Sequence, residues 1–272
     1  MRIARFQDAD GVVQYGIPID GARARRLEGD LFDGLHETEQ ELEVSKWLAP
    51  IVPVNIFCIG LNYRAHAAET GAPLPHNPVV FMKPTTAVTN PNDPIRLPAA
   101  CRHGPEVDFE AELAVVIAHR GRNLSPSKAL DLVLGYSCAN DVSARRWQKH
   151  GGGGQWVRGK GFDTFCPLGP VLVTADEIPD PQTLAVRCEL NGEIMQSGHT
   201  ADMIFPVAEL IAHLSQDTTL LPGTLILTGT PPGVGFARRP PVYLGAGDRV
   251  RVEIERIGAL DNPVHDAKAA SA

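Results

Sequence analysis

A β-rich α+β fold is what this sequence predicts, and three observations carry the prediction. Glycine (26 residues) and proline (23) are both abundant in a chain of 272, so turns recur at short intervals. Helical periodicity is scarce; the one clear apolar stripe lies in residues 203–214, on Ile204, Val207, Ala208, Ile211 and Leu214. The other apolar segments are short runs bounded by turn residues, the pattern of buried or half-buried strands. The length suits one large domain or one domain with a small appendage.

Taken in order, residues 1–17 read as strand, turn and strand, and 37–47 as an acidic surface helix. Pro50 and Pro53 then break the pattern, which places a small N-terminal domain at 1–53, a catalytic domain at 54–264 and a frayed tail at 265–272. Residues 56–60 form a buried strand leading straight into 61–69, where His66 and Glu69 are neighbours on a helical turn. The Gly/Pro-rich 71–78 stretch is unsuited to a helix, so 62–78 reads as a lid.

Residues 107–117 turn from alternating to continuously apolar, as a strand entering a core does. Side chains at i and i+2 share a face, so Glu110 and Glu112 point one way while Phe109, Ala111 and Leu113 point the other. Two adjacent carboxylates repel each other, and a proton, a basic partner or a metal cation must neutralise them. Asp141 follows at a strand-to-helix transition, and a helix over 142–149 brings Arg145 and Gln148 near its face.

The glycine run 151–154 reads as a flexible loop, matching neither a dinucleotide fingerprint nor a phosphate loop. Lys160, between Gly159 and Gly161, is a candidate for burial through close backbone approach. Strands follow at 168–173 and 184–190, with an Asn191-Gly192 hairpin signal. The strand at 225–227 runs into a turn at Gly229 and Thr230, whose backbone N–H groups, with the hydroxyls of Thr228 and Thr230, suit an anion.

The net charge of −7 comes without a Lys/Arg block, which argues against a nucleic-acid partner. No apolar run approaches the ~20 residues of a membrane span. The N-terminus lacks the apolar core of a secretory signal. Five scattered cysteines without a Cys-x-x-Cys pair argue against structural zinc and a disulfide framework, and suggest a reducing cytoplasm. Nucleophile-elbow and His-Glu-x-x-His motifs are absent. An oxygen-donor set remains, Glu110, Glu112 and Asp141, which suits Mg²⁺, Mn²⁺ or Ca²⁺ rather than zinc.

Six ordered segments resemble the fumarylacetoacetate hydrolase family. They are Gly60-Leu61-Asn62-Tyr63-Arg64-Ala65-His66-Ala67-Ala68-Glu69, Phe81-Met82-Lys83-Pro84, Val107-Asp108-Phe109-Glu110-Ala111-Glu112-Leu113, Asn140-Asp141-Val142-Ser143-Ala144-Arg145, Gly159-Lys160-Gly161-Phe162-Asp163 and the Leu227-to-Gly235 turn. The resemblance implies a mixed β-roll or sandwich catalytic domain, a homodimer and a Mg²⁺ or Mn²⁺ ion. It gives the metal-ligand role to Glu110, Glu112 and Asp141, and the water-activating role to His66 and Glu69. Lys160 becomes a second positive charge at the reacting centre, and Arg145, Gln148, Gly229 and Thr230 become substrate contacts. The implied substrate is a small 2-oxo or diketo acid, and the implied reaction is hydrolysis of a C–C bond in a β-diketone or acylpyruvate. The same constellation without an attacking water serves oxaloacetate keto–enol tautomerisation, decarboxylation or double-bond isomerisation, which is the alternative reading.

Overall fold

A computed structural model describes residues 1–101, 103–151 and 153–267. The chain opens with four strands, β1 (Arg2–Asp8), β2 (Val13–Pro18), β3 (Arg23–Asp30) and β4 (Gly34–Leu48). Then come β5 (Asn55–Gly60), α1 (Arg64–Thr70), β6 (Val79–Lys83), β7 (Val88–Thr89), β8 (Ile95–Leu97), β9 (Val107–Asp108) and β10 (Ala111–Ile117). The middle of the chain supplies α2 (Pro126–Ala129), β11 (Val133–Asn140), β12 (Ser143–Ala144), α3 (Arg145–His150), α4 (Val157–Lys160) and β13 (Cys166–Thr174). It closes with β14 (Ala185–Leu190), β15 (Glu193–His199), α5 (Val207–Leu214), β16 (Thr224–Leu227), β17 (Arg249–Ile254) and β18 (Gly258–Asp266). The β-rich α+β expectation holds.

An 11-stranded sheet runs β2-β3-β4-β1-β13-β11-β10-β16-β5-β6, with β7 added on β13, and a five-stranded sheet runs β15-β14-β17-β18-β8. At the centre of the large sheet, β10 is buried along its whole length. Leu113, Val115 and Ile117 on one face join Val186, Val250, Val252 and Ile254 of the smaller sheet in one core. Ala114 and Val116 on the other face pack with Ile56, Cys58, Leu168 and Leu225. Alternation along β10 therefore feeds two cores, which explains why the segment reads as continuously apolar.

The 37–47 helix expectation is overturned: this stretch lies within β4, which pairs with both β3 and β1. Its acids face arginines of β3, with Arg23 3.0 Å from Glu41 and Arg25 3.9 Å from Glu37. Cross-strand charge pairs and two hydrogen-bonded edges outweigh helix propensity here. Because β1 also pairs with β2, the four strands close on themselves. Two further boundaries move. The amphipathic helix starts at Val207, after Pro206, rather than at residue 203. The expected frayed tail at 265–272 does not begin at residue 265, because Val264, His265 and Asp266 pair with Ile95, Arg96 and Leu97. Residues 268–272 of the expected tail, and Gly152 of the glycine run, lie outside the described residues.

Candidate active site and metal centre

The three candidate carboxylates converge from two neighbouring strands. Glu110 sits just before β10 and Glu112 within it, while Asp141 follows the end of β11; β10 and β11 pair with Ala111 opposite Asn140. Ligand oxygens of Glu110, Glu112 and Asp141 all lie within 4.8 Å of one another, and all three residues are buried. The Asn140 side chain accepts the Glu110 backbone N–H at 3.0 Å, and the Asp141 backbone N–H donates to the Glu110 carbonyl at 2.9 Å. Backbone pairing thus fixes the spacing of the acids.

Basic side chains surround two of the three. Lys160, the last residue of α4, places Nζ 2.7 Å from Glu110 Oε2 and 2.8 Å from Asp141 Oδ2. Arg145 reaches Glu110 Oε1 at 2.7 Å and Asp108 Oδ2 at 2.8 Å. Burial alone would raise the Glu110 carboxyl, but Lys160 and Arg145 outweigh it and hold the group at about 2. Among the described residues Glu112 forms no ion pair; it accepts the Gly229 backbone N–H at 2.7 Å. Burial, with Asp141 and Glu110 beside it, pushes its pKa well above the ordinary value of 4.5. For Lys160, burial would lower the ammonium, and the Asp141 and Glu110 carboxylates reverse that.

Counting charges, Asp108, Glu110, Glu112 and Asp141 face Lys83, Lys160 and Arg145, one acid in excess. An all-oxygen donor set with an uncompensated buried carboxylate can coordinate a hard divalent cation. The residues present fit such an ion.

His66, on α1, is buried and its Nδ1 lies 3.0 Å from Glu69 Oε2. The other Glu69 oxygen accepts the Gly233 backbone N–H at 2.8 Å, and Asp202 accepts the N–H of Ala65 at 2.9 Å at the start of the helix. The expected lid helix is therefore docked on two separate loops. His66, Glu110, Glu112, Arg145, Lys160 and Thr230 line one cavity of about 320 Å³. Gln148 and Trp156 complete part of its wall, and the Gln148 side-chain oxygen accepts from Arg145 at 3.0 Å. A larger cavity of about 460 Å³, beside Leu31 to Leu35, contains none of the candidate residues.

Some expectations change. Helix α3 begins at Arg145 rather than 142, because Ser143 and Ala144 pair with Asp108 and Val107. The threonine hydroxyls are not free for an anion: Thr228 donates to the Leu113 carbonyl at 2.9 Å, and Thr230 donates to that of Ala111 at 2.9 Å. The Gly229 N–H donates to Glu112, and φ of +95° with Asn62 Cβ 2.7 Å from where a Cβ would sit explains the glycine.

Four residues had no role in the sequence reading. Lys83, at the end of β6, lies 2.6 Å from Asp141 Oδ1. Asp108 accepts from Arg145 and from the backbone N–H groups of Gly235 and Phe236. The signal for it was available: residues 108, 110 and 112 share one parity. The Asn62 side chain donates to the carbonyls of Phe205 and Thr228, tying the end of β5 to two loops. Gln196 accepts from the Ala111 backbone and donates to Thr230. Only cross-chain contacts reveal these last two.

Comparisons with known proteins agree with this arrangement. The family model described as "Fumarylacetoacetate (FAA) hydrolase C-terminal" matches residues 55–265, and one described as "Rv2993c-like, N-terminal" matches residues 1–50. "Oxaloacetate tautomerase fahd2, mitochondrial" of Xenopus laevis is 52% identical over 218 residues, 80% of this chain and 67% of that protein. "Oxaloacetate tautomerase FAHD2A, mitochondrial" of Homo sapiens is 48% identical over 219 residues, 80% of this chain and 69% of that protein. A 2-hydroxyhepta-2,4-diene-1,7-dioate isomerase structure from Mycobacterium marinum superposes with TM-score 0.84 at 41% identity, covering 99% of this chain and all (100%) of that one.

These relatives correct one expectation. The cytoplasmic assignment does not stand, since the vertebrate relatives are named as mitochondrial proteins. Free cysteines report a reducing environment, not a particular compartment. No helix among the described residues is long and apolar enough to cross a membrane. The ordered motifs, the carboxylate cluster and the match over 55–265 converge on one conclusion: this chain belongs to the fumarylacetoacetate hydrolase family, as an enzyme with a candidate divalent-metal centre.

Proposed function

We propose that this enzyme catalyses keto–enol tautomerisation of a small 2-oxo diacid of the oxaloacetate type, using Mg²⁺ or Mn²⁺, rather than C–C bond hydrolysis. The carrying observation is the set of names borne by its relatives, two oxaloacetate tautomerases and a dienedioate isomerase. The geometry is compatible with such proton-transfer chemistry. Glu110, Glu112 and Asp141 would hold the ion. When bound, it supplies a Lewis acid for the carboxylate and keto oxygens of a 2-oxo acid.

The protein's own groups account for the rest. Glu69 accepts the Nδ1 proton of His66, which leaves Nε2 with the lone pair. That atom takes the proton from the carbon beside the keto group, leaving an enolate, and the imidazolium so formed releases its proton to the enolate oxygen to give the enol; the same two transfers in reverse convert enol to ketone. The Lys160 ammonium, buried and fixed between two carboxylates, sets positive charge beside the oxygen on which negative charge grows. The Trp156 ring, with His66 and Thr70 of α1, forms part of the cavity wall around the reacting centre.

The test is a parallel assay of metal-reconstituted enzyme on enol-oxaloacetate, followed by ultraviolet absorbance of the enol, and on an acylpyruvate, followed by product release. Accelerated loss of the enol with little acylpyruvate cleavage is expected. Efficient acylpyruvate cleavage, with enol-oxaloacetate decaying at its uncatalysed rate, would sink the proposal.

A further inference from the structure

We infer that Lys149, standing on the Phe236 ring, is the docking point for the second carboxylate of the substrate, and so selects diacids over 2-oxo acids with uncharged tails. This rests on the tautomerase reading for the reaction, and on the cavity itself for the subsite.

Three cationic side chains line the catalytic cavity: Arg145, Lys149 and Lys160. Two are already engaged, Arg145 by Asp108 and Glu110, and Lys160 by Glu110 and Asp141. Among the described residues, the Lys149 ammonium has no recorded ion pair or hydrogen bond; its recorded contact is the Phe236 ring, with Nζ 3.9 Å from the centroid. It is the cation in this cavity left available to an incoming anion.

Its position is built rather than incidental. Arg145 and Lys149 are one turn apart on α3 and share a face. Both lie over Phe236, the Arg145 Cζ 4.4 Å from the ring centroid. The ring is itself anchored, because the backbone N–H groups of Gly235 and Phe236 donate to Asp108 at 2.8 and 3.0 Å. Arg145 Nε donates to that same carboxylate at 2.8 Å. One buried acid thus orients both the helix that carries Lys149 and the ring beneath its ammonium.

The surroundings are cationic as well. Lys149 also borders an adjoining cavity of about 330 Å³, where Arg146, His103 and His150 line the wall and Glu106 is the acid. Glu106 is turned toward the protein, accepting the Arg146 backbone N–H at 3.1 Å. Burial, then the nearby Arg145, lowers the Lys149 pKa from its ordinary value. An arriving carboxylate offsets both effects, so the subsite favours a negatively charged tail.

The test compares enol-oxaloacetate with its 4-methyl ester, which keeps the skeleton and removes one charge, in the metal-loaded wild type, Lys149→Met and Lys149→Arg. The diacid-to-ester ratio of kcat/KM should fall on the order of ten-fold in Lys149→Met and recover most of the loss in Lys149→Arg. A ratio that does not move in Lys149→Met overturns the inference, as does one that falls equally in both variants. Calorimetric titration with the same two compounds reads the same ratio from affinity alone. If the wild type tautomerises neither compound, the proposed reaction fails, and the calorimetric ratio still decides the role of Lys149.

Discussion

Lys83 Nζ lies 2.6 Å from Asp141 Oδ1, with both side chains sealed from solvent at 0% and 1% exposure. The same ammonium donates to the carbonyls of Val142 at 3.1 Å and Phe165 at 2.8 Å, and also to that of Lys160. It therefore holds together the segments that carry one candidate ligand, Asp141, and the candidate catalytic lysine, Lys160. Lys83→Met should destabilise the protein by about 3–5 kcal/mol, since Asp141 is left buried without its nearest cation. Urea denaturation of metal-free protein measures this, and a loss under about 1 kcal/mol would show the pair to be dispensable.

Glu112 makes the metal-free protein sensitive to pH. Its folded pKa is raised, so the folded state keeps a proton that the unfolded chain loses near 4.5, and stability falls as pH rises above that value. Glu110 acts oppositely: held at about 2, it contributes stability that is lost as pH drops from about 4.5 toward 2. As pH rises above about 4.5, the Tm of metal-free enzyme should therefore decline. Mg²⁺, or Glu112→Gln without metal, should flatten that decline, while Glu112→Gln should also abolish metal-dependent activity. Thermal scans with and without EDTA decide the matter; a flat metal-free profile would count against an uncompensated Glu112.

Gly60 ends β5 directly beneath the Trp156 ring, and a Cβ added there would stand 2.3 Å from a ring carbon. Gly60→Ala should displace Trp156 from its place beside Phe81, where the ring centroids are 5.3 Å apart. Overpacking of this kind costs about 1–3 kcal/mol. Tryptophan emission should shift and KM should rise more than kcat falls, because the ring walls the cavity and touches no reacting atom. Unchanged emission would show that the backbone yields instead.

Glu69 holds His66 with one oxygen and the Gly233 N–H with the other. Glu69→Gln keeps the shape but removes the carboxylate that fixes the histidine tautomer, and should lower kcat by about 10- to 100-fold with a smaller change in KM. His66→Ala should lower it by about 100-fold or more. Steady-state kinetics on enol-oxaloacetate provides the measurement, and near-wild-type kcat in both variants would remove the dyad from the mechanism.

Much of the candidate site was legible along the chain because its chemistry is local. Parity alone placed Glu110 and Glu112 on one face of a strand, and the three-residue spacing made His66 and Glu69 neighbours. Glycines on both sides of Lys160 hinted at its burial. The N-terminal strands were harder to read. The 37–47 stretch reads as a surface helix on its polar, acidic composition, although Glu37, Glu39, Glu41 and Glu43 alternate as one face of a strand does, and pairing with β3 brings that face alongside its arginines. Pairing partners are distant in sequence, and intrinsic propensity is silent about them.

The sequence by itself determined the β-rich class, the order of the motifs and the run of carboxylates that asks for a cation. Tertiary structure decided which charges are neutralised and which remain. Lys83, Lys160 and Arg145 converge on Glu110, Asp141 and Asp108, whereas among the described residues Glu112 receives a backbone N–H and no ion pair, and Lys149 rests on an aromatic ring. Which buried charges find partners depends on distances between strands, helices and turns far apart in the chain, and those distances are fixed only when the two sheets pack around β10.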